Sequence, residues 1–363
     1  MKRFEVLDSF RGLCAIAVVC FHIRVLEGFT ELPFFRGSAI LVDFFFVLSG
    51  FVLTHGYASK AQITFKKFLL SRFFRLYPLH FFTLVTIILF EVIKYTFFHK
   101  FGWSFNYEPF TGKTSLSQFI PNLLLIQSWY PGFESLSFNY PSWSISVEFY
   151  LYIIFYCTLF FTGINRTILW VLISLLAFVS IFYAIDFLTI NSLRGLTSFF
   201  GGALVYLIYE KSPQPNLSYR YATIFEFMCI VLSILLVGSE FSLRQPIAIF
   251  MFIVVVFVFA QEKGAVSNIL RKKFFINFGK LSYSIYMIHV CLLFILSYIM
   301  LLIKKIMGVD FTQTIDGVRF VNFGGWISNS IYAIMTLFFV IIMSNFTYKY
   351  IELKFSSMGK RFY

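Results

Sequence analysis

The sequence predicts an all-α, polytopic membrane protein of about ten transmembrane helices with both termini in the cytoplasm. Three observations carry this. Of 363 residues, 59% are hydrophobic and only 13% charged, with Phe at 53 positions; a soluble domain is closer to a quarter charged. Apolar runs of the length that crosses a bilayer recur from end to end. Lys and Arg are distributed unevenly between alternate loops, which orients the chain. The net charge of +13 therefore marks cytoplasmic loops and gives no reason to expect a nucleic-acid partner.

The ten runs fall near 9–27, 38–58, 76–98, 141–162, 167–187, 192–210, 221–238, 245–261, 281–303 and 326–349. The first could pass for a signal peptide, since Lys2 and Arg3 precede it. Asp8 and Arg11 interrupt its start and no A-x-A site follows, so it is expected to be a retained helix. With the N-terminus inside, the inner loops collect the larger share of Lys and Arg, Lys66, Lys67, Arg72, Arg75, Arg271, Lys272 and Lys273 among them. Lys304 and Lys305, at the outer end of the ninth run, are exceptions. The five cysteines all sit in apolar segments, are odd in number and form no C-x-x-C. This argues against a disulfide framework and against a metal site.

Within these runs stand groups that hydrocarbon does not tolerate cheaply. The stretch LDSFRGLCAIAVVCFH, Leu7 to His22, places Arg11 and His22 eleven residues apart. That is about three helical turns, roughly 16 Å along one stripe. A snorkelling Arg with a hydrogen-bonded His accounts for them; so does a functional pair. Asp43 opens the apolar VDFFFVLSGFVL, Glu148 lies in PSWSISVEFYLY, and His289 lies in LSYSIYMIHV. Together with His22 they come from four helices at similar depth, which points to a polar cavity. Arg72 and Arg75 in SRFFRLYP are three apart and share a helix face. Their guanidinia suit a phosphate-bearing ligand, and they suit lipid headgroups and the positive-inside rule equally.

The longest connection, 99–140, is Pro- and aromatic-rich. Its apolar middle, Leu116 to Ile126, is too short to span and is expected to be re-entrant or interfacial. The four runs from 167 to 261 contribute scaffold, Gly201-Gly202 permitting close helix packing. The tail YKYIELKFSSMGKRFY is basic and amphipathic and is expected on the inner leaflet.

Taken together, LDSFRGLCAIAVVCFH with its R-x10-H pair, VDFFFVLSGFVL, SRFFRLYP, PSWSISVEFYLY, LSYSIYMIHV and YIELKF resemble the acyltransferase-3 family of integral membrane acyltransferases, many of which O-acetylate bacterial surface glycans. The resemblance covers nearly the whole chain. It implies that His22 is the essential histidine, Arg11 its arginine partner and Glu148 the acidic residue of the WS-x-x-x-E motif. It further associates Arg72 and Arg75 with the acyl-CoA donor. Some members carry an appended soluble esterase-like domain; here a single transmembrane domain, 1–363, is expected without one.

The resemblance and the residues meet in one expected chemistry. An O-acyltransferase of the bacterial cytoplasmic (inner) membrane moves an acetyl group from cytoplasmic acetyl-CoA to a hydroxyl of a surface glycan or its lipid-linked precursor, such as O-antigen, capsule or exopolysaccharide. His22 is the general base, with Glu148, Asp43 and His289 setting its tautomer and protonation. Acetyl-CoA is a substrate, and no bound cofactor is expected. The alternative is a glycan flippase, a polymerase or a proton-coupled transporter built on the same polar cluster.

Overall fold

The computed structural model describes residues 3–58, 63–103, 105, 107–212 and 218–361. In chain order the elements are α1 (Glu5–His22), α2 (Pro33–Gly37), α3 (Leu41–Tyr57), α4 (Phe65–Phe101), α5 (Phe119–Leu123), α6 (Ser142–Thr158), α7 (Gly163–Phe182), α8 (Ile190–Lys211), α9 (Tyr219–Val237), α10 (Arg244–Phe259), α11 (Ala265–Leu270) and α12 (Lys273–Met307). A hairpin of β1 (Thr312–Ile315) and β2 (Val318–Val321) follows, then α13 (Trp326–Thr347), a π-helical turn Tyr348–Glu352 and α14 (Leu353–Lys360).

Each of the ten apolar intervals coincides with a helix: α1, α3, α4, α6 to α10, α12 and α13. Six helical stretches among the described residues are long and apolar enough to cross a membrane: Pro33–Tyr57, Phe65–Phe101, Gly163–Phe182, Tyr219–Val237, Lys273–Met307 and Trp326–Gly359. This is a multi-pass membrane protein. The first helix carries Glu5, Asp8 and Arg11 within its 18 residues, and α10 is shorter and apolar.

Two of the boundaries that differ from the sequence reading bear on the candidate site residues. The helix of the third apolar run, α4, begins at Phe65 instead of near 76 and runs 37 residues through Pro78. Arg72 and Arg75 are thus carried by this helix, on the shared face their spacing predicts. The first helix stops at His22, with Ile23 extended (φ −78°, ψ 106°), instead of continuing to 27. His22 is therefore the helix's terminal residue and does not lie well inside a span. The cause is tertiary. Leu26 N–H donates to the Val321 carbonyl at 2.9 Å and Val321 N–H to the Arg24 carbonyl at 3.0 Å, pulling the chain off helix and onto β2. The hairpin itself has a sequence signal, since Asp316-Gly317 takes positive φ at both residues (49° and 74°), the requirement of a two-residue type I′ turn.

The chain forms two compact units, Met1–Gly56 with Gly201–Asn345, and Tyr57–Phe200 with Phe346–Tyr363. In the first unit α1 packs on α12 with almost no side chain between them. A Cβ at Gly12 would stand 2.6 Å from the Gly279 backbone nitrogen, and one at Gly279 would strike the Asp8 carbonyl. Gly202 of α8 likewise lies against the Val47 carbonyl of α3, so this member of the Gly201-Gly202 pair does allow close packing. Glu226 of α9, almost wholly buried, accepts from Gly264 N–H at 2.8 Å, from Ser267 N–H at 2.9 Å and from Ser267 Oγ. It thereby satisfies the otherwise orphan donors at the start of α11. The exceptional Lys304 is explained as well: it lies in the last turn of α12 and pairs with Asp310 at 2.6 Å. That pair, with a hydrogen bond from Thr312, holds the Asp310 carboxyl down to about 2.

In the second unit α4 packs on α6 and α14 packs on α4, where a Cβ at Gly359 would lie 3.0 Å from Phe74 Cβ. Among the described residues, the connection after α4 holds short turns and α5. Its apolar middle, Leu116 to Ile126, is a turn, Leu116–Gln118, running directly into α5.

Candidate active site

The first unit brings two of the sequence's candidates together. Gly12 and Gly279 set the register: α1 and α12 touch there, and ten residues further along each lie His22 and His289. Both helices rise about 15 Å over that distance, so the two imidazoles arrive at one level. His289 Nε2 lies 3.2 Å from His22 Nδ1, and the ring centroids are 4.9 Å apart. His289 is completely buried, while His22 is half-buried.

Backbone carbonyls assign the tautomers. The Ile285 carbonyl lies 3.3 Å from His289 Nδ1; a carbonyl only accepts, so Nδ1 carries the hydrogen and Nε2 keeps the lone pair. The Val18 carbonyl lies 3.0 Å from His22 Nδ1, which therefore donates, both to that carbonyl and to His289 Nε2. His22 Nε2 is left as a lone pair directed away from the pair. A base whose hydrogen bond to a neutral imidazole strengthens when the base is protonated is suited to taking a proton and returning it.

Asp43 belongs to the same unit, in the first turn of α3, and is fully buried. Arg11 stands half-buried on α1, three turns before His22. The turn carrying His22 is held by a residue the sequence did not single out. Arg36 of α2 donates from Nη2 to the Cys20 carbonyl at 2.6 Å and to the Ile23 carbonyl at 3.3 Å, and from Nε to the Thr30 carbonyl at 2.7 Å. The Cys20 and Ile23 carbonyls are ones that the end of α1 leaves unsatisfied. Glu31 lies 3.5 Å from Arg36 and 3.8 Å from Arg24. No pattern around Arg36 announces this role, because it depends on a loop folding back.

Glu148, Arg72 and Arg75 belong to the second unit. Glu148 Oε1 accepts a hydrogen bond from the Tyr152 hydroxyl, one helical turn further along α6. Arg72 donates from Nη2 to the Tyr57 hydroxyl at 2.9 Å, and its guanidinium stands 5.8 Å from the Tyr152 ring. Arg75 and Arg72 both act electrostatically on the Tyr152 phenol. The two arginines, Tyr152 and Glu148 thus form one polar patch on α4 and α6. Tyr152 had a signal, being four residues after Glu148; Tyr57 had none.

The model of the Acyltransferase domain matches residues 4–345. Acyltransferase MdmB of Streptomyces mycarofaciens is 35% identical over 162 residues, 42% of this chain and 38% of that protein. Peptidoglycan O-acetyltransferase OatA of Listeria monocytogenes is 27% identical over 166 residues, 42% of this chain and 24% of that protein. Protein 2 in the picA locus of Rhizobium radiobacter is 39% identical over 97 residues, 26% of this chain and 49% of that protein. The chain thus spans about half or less of the length of these relatives. No solved structure matches it. With the family model covering all but the ends, the chain belongs to the acyltransferase-3 family of membrane acyltransferases.

Proposed function

We propose that this protein is an O-acyltransferase of a bacterial cytoplasmic membrane that transfers an acetyl group from acetyl-CoA on the cytoplasmic side to a hydroxyl of a cell-surface glycan or its lipid-linked precursor. The observation that carries the reading is the His22–His289 pair, in which two carbonyls and a second imidazole leave a lone pair on His22 Nε2. The likeness of part of the chain to a peptidoglycan O-acetyltransferase supports acetyl as the group and a glycan as the acceptor.

In this mechanism His22 Nε2 takes the proton of the sugar hydroxyl as its oxygen attacks the thioester carbonyl. The new C–O bond forms, the tetrahedral intermediate collapses with cleavage of the C–S bond, and the departing thiolate recovers the proton from His22. During the step the charged His22 ring is stabilised through Nδ1–H by His289 Nε2 and the Val18 carbonyl. Arg11 orients the base or holds the donor, and Asp43 adds to the polarity of this unit. Arg72 and Arg75 grip donor phosphates through forked guanidinium contacts, with Glu148 and Tyr152 holding the patch.

Transport and polymerisation rest on the intramembrane polar groups alone, whereas family membership favours group transfer. The test is turnover: purified protein in vesicles receives acetyl-CoA labelled in the acetyl group, with and without polysaccharide. Label must appear on the glycan in step with release of free CoA, and both must be lost in His22→Gln. Glycan crossing the vesicle wall without CoA release would overturn the reading.

A further inference from the structure

The first unit contains an apolar slot of about 360 Å³ that the proposed chemistry does not use. It runs beside α1, α9 and α10. Along α9 its wall extends from Cys229 to Val237, eight residues or about 12 Å, so it is elongated along the helix axes. Phe10, Cys14 and Ala17 line it from α1. Ser233 also lines it, with a buried hydroxyl that has no hydrogen-bond partner. Close-packed interiors hold few voids larger than a water molecule, and water does not settle in a chamber with so little to bind it.

The face of α1 from which Phe10, Cys14 and Ala17 line the slot continues past it to charge. Residues 10, 14, 17 and 21 recur every three or four positions and so share one face of α1. The fourth is Phe21, whose ring has the guanidinia of both Arg24 and Arg36 at 5.6 Å. Arg36 additionally has a buried Nη1 without a partner, and a single carboxylate, Glu31, answers the two cations. The residue after Phe21 is His22. A molecule with a hydrocarbon chain in the slot would hold an anionic head at this pair and whatever is attached to that head beside the base.

We infer that the slot binds the hydrocarbon chain of a phosphate-bearing lipid carrier, with its phosphate at Arg24 and Arg36, so that the attached sugar is presented to His22. This rests on the acetyltransferase reading above and specifies its acceptor as membrane-bound. A bulk phospholipid shares the chain and the phosphate, but carries no sugar to present to His22.

The experiment uses full-length protein in vesicles and two photoreactive probes, a polyprenyl phosphate and a phosphatidylglycerol, each with a diazirine in its chain. Ala17→Phe and Ser233→Leu fill the slot without touching His22, Arg24 or Arg36. The polyprenyl phosphate should label α1 near Cys14 and α9 near Ser233, and unlabelled polyprenyl phosphate should compete. Excluding two or three methylenes should raise KM for a lipid-linked glycan about tenfold or more in either variant, with transfer to the same glycan freed of lipid unchanged. Equal, uncompeted labelling by phosphatidylglycerol, or wild-type KM in both variants, would overturn the inference. So would a changed preference among acyl-CoA chain lengths with the lipid-free glycan, which would assign the slot to the donor. Cross-linking reads the slot independently of turnover, so loss of transfer to both acceptors in the wild type would overturn the acetyltransferase reading alone.

Discussion

Gly12 and Gly279 face each other across the α1–α12 contact with no room for a Cβ on either side, and this pair brings His22 and His289 to the same level. Any side chain larger than hydrogen must push one backbone away from the other. Gly279→Val is therefore expected to destabilise the contact by about 1–3 kcal/mol, the usual cost of overpacking, and to separate the histidines. Cross-linking of cysteines placed at 22 and 289, in a protein without its native cysteines, should be efficient while Gly279 is kept and largely lost once Gly279→Val is added. Unchanged cross-linking would detach the histidine register from the glycines.

His22→Gln preserves approximate size and hydrogen-bonding capacity but cannot accept a proton at neutral pH. Acetyl transfer should fall by about 10²–10⁴-fold, the typical contribution of a general base, while protein level and membrane insertion stay near wild type. A Gln variant working at close to the wild-type rate would remove His22 as the base.

His289 touches the proposed base and not the substrate, so its loss should be milder. The hydrogen bond it accepts from a charged His22 ring is worth about 1.5–3 kcal/mol, or roughly 10–100-fold in rate. His289→Leu should show that loss in kcat with little change in KM for acetyl-CoA. His289→Gln, which can still present an acceptor to His22 Nδ1, should recover part of it. Equal defects in Leu and Gln would reduce His289 to a packing residue.

If Arg72 and Arg75 grip donor phosphates, replacing both with Ala should weaken acyl-CoA binding in an inserted protein. Lys at both positions should restore only part of it, because charge is kept and the fork is lost. Binding is read by titration with a non-hydrolysable acyl-CoA analogue. Normal affinity in the double Ala variant would return these residues to the role of topology signals.

Loop charge predicts Lys66 and Lys273 on the cytoplasmic side and Lys113 outside. Cysteines at these positions, probed with an impermeant maleimide on intact cells, should react only at 113. Reaction at 66 from outside would reverse the orientation and place Arg72 and Arg75 away from cytoplasmic donor.

The apolar runs by themselves determined where the long helices lie, because a segment of that length and composition has few ways to satisfy its backbone in hydrocarbon. The residues costly to hold there, His22, Asp43, Glu148 and His289, were legible for the same reason. The glycines at 12 and 279 were visible but not their partnership, since a close approach of two helices is a property of both surfaces at once. The Asp316-Gly317 turn was a local signal for a hairpin, yet its effect, ending α1 at His22 through Val25 and Val321, is long-range. Arg36 looked like an ordinary loop charge and turned out to cap the turn that carries His22. Local sequence thus set the helices and the expensive groups upon them. Which of those groups meet, and at what distance, was decided by backbone contacts between segments more than two hundred residues apart.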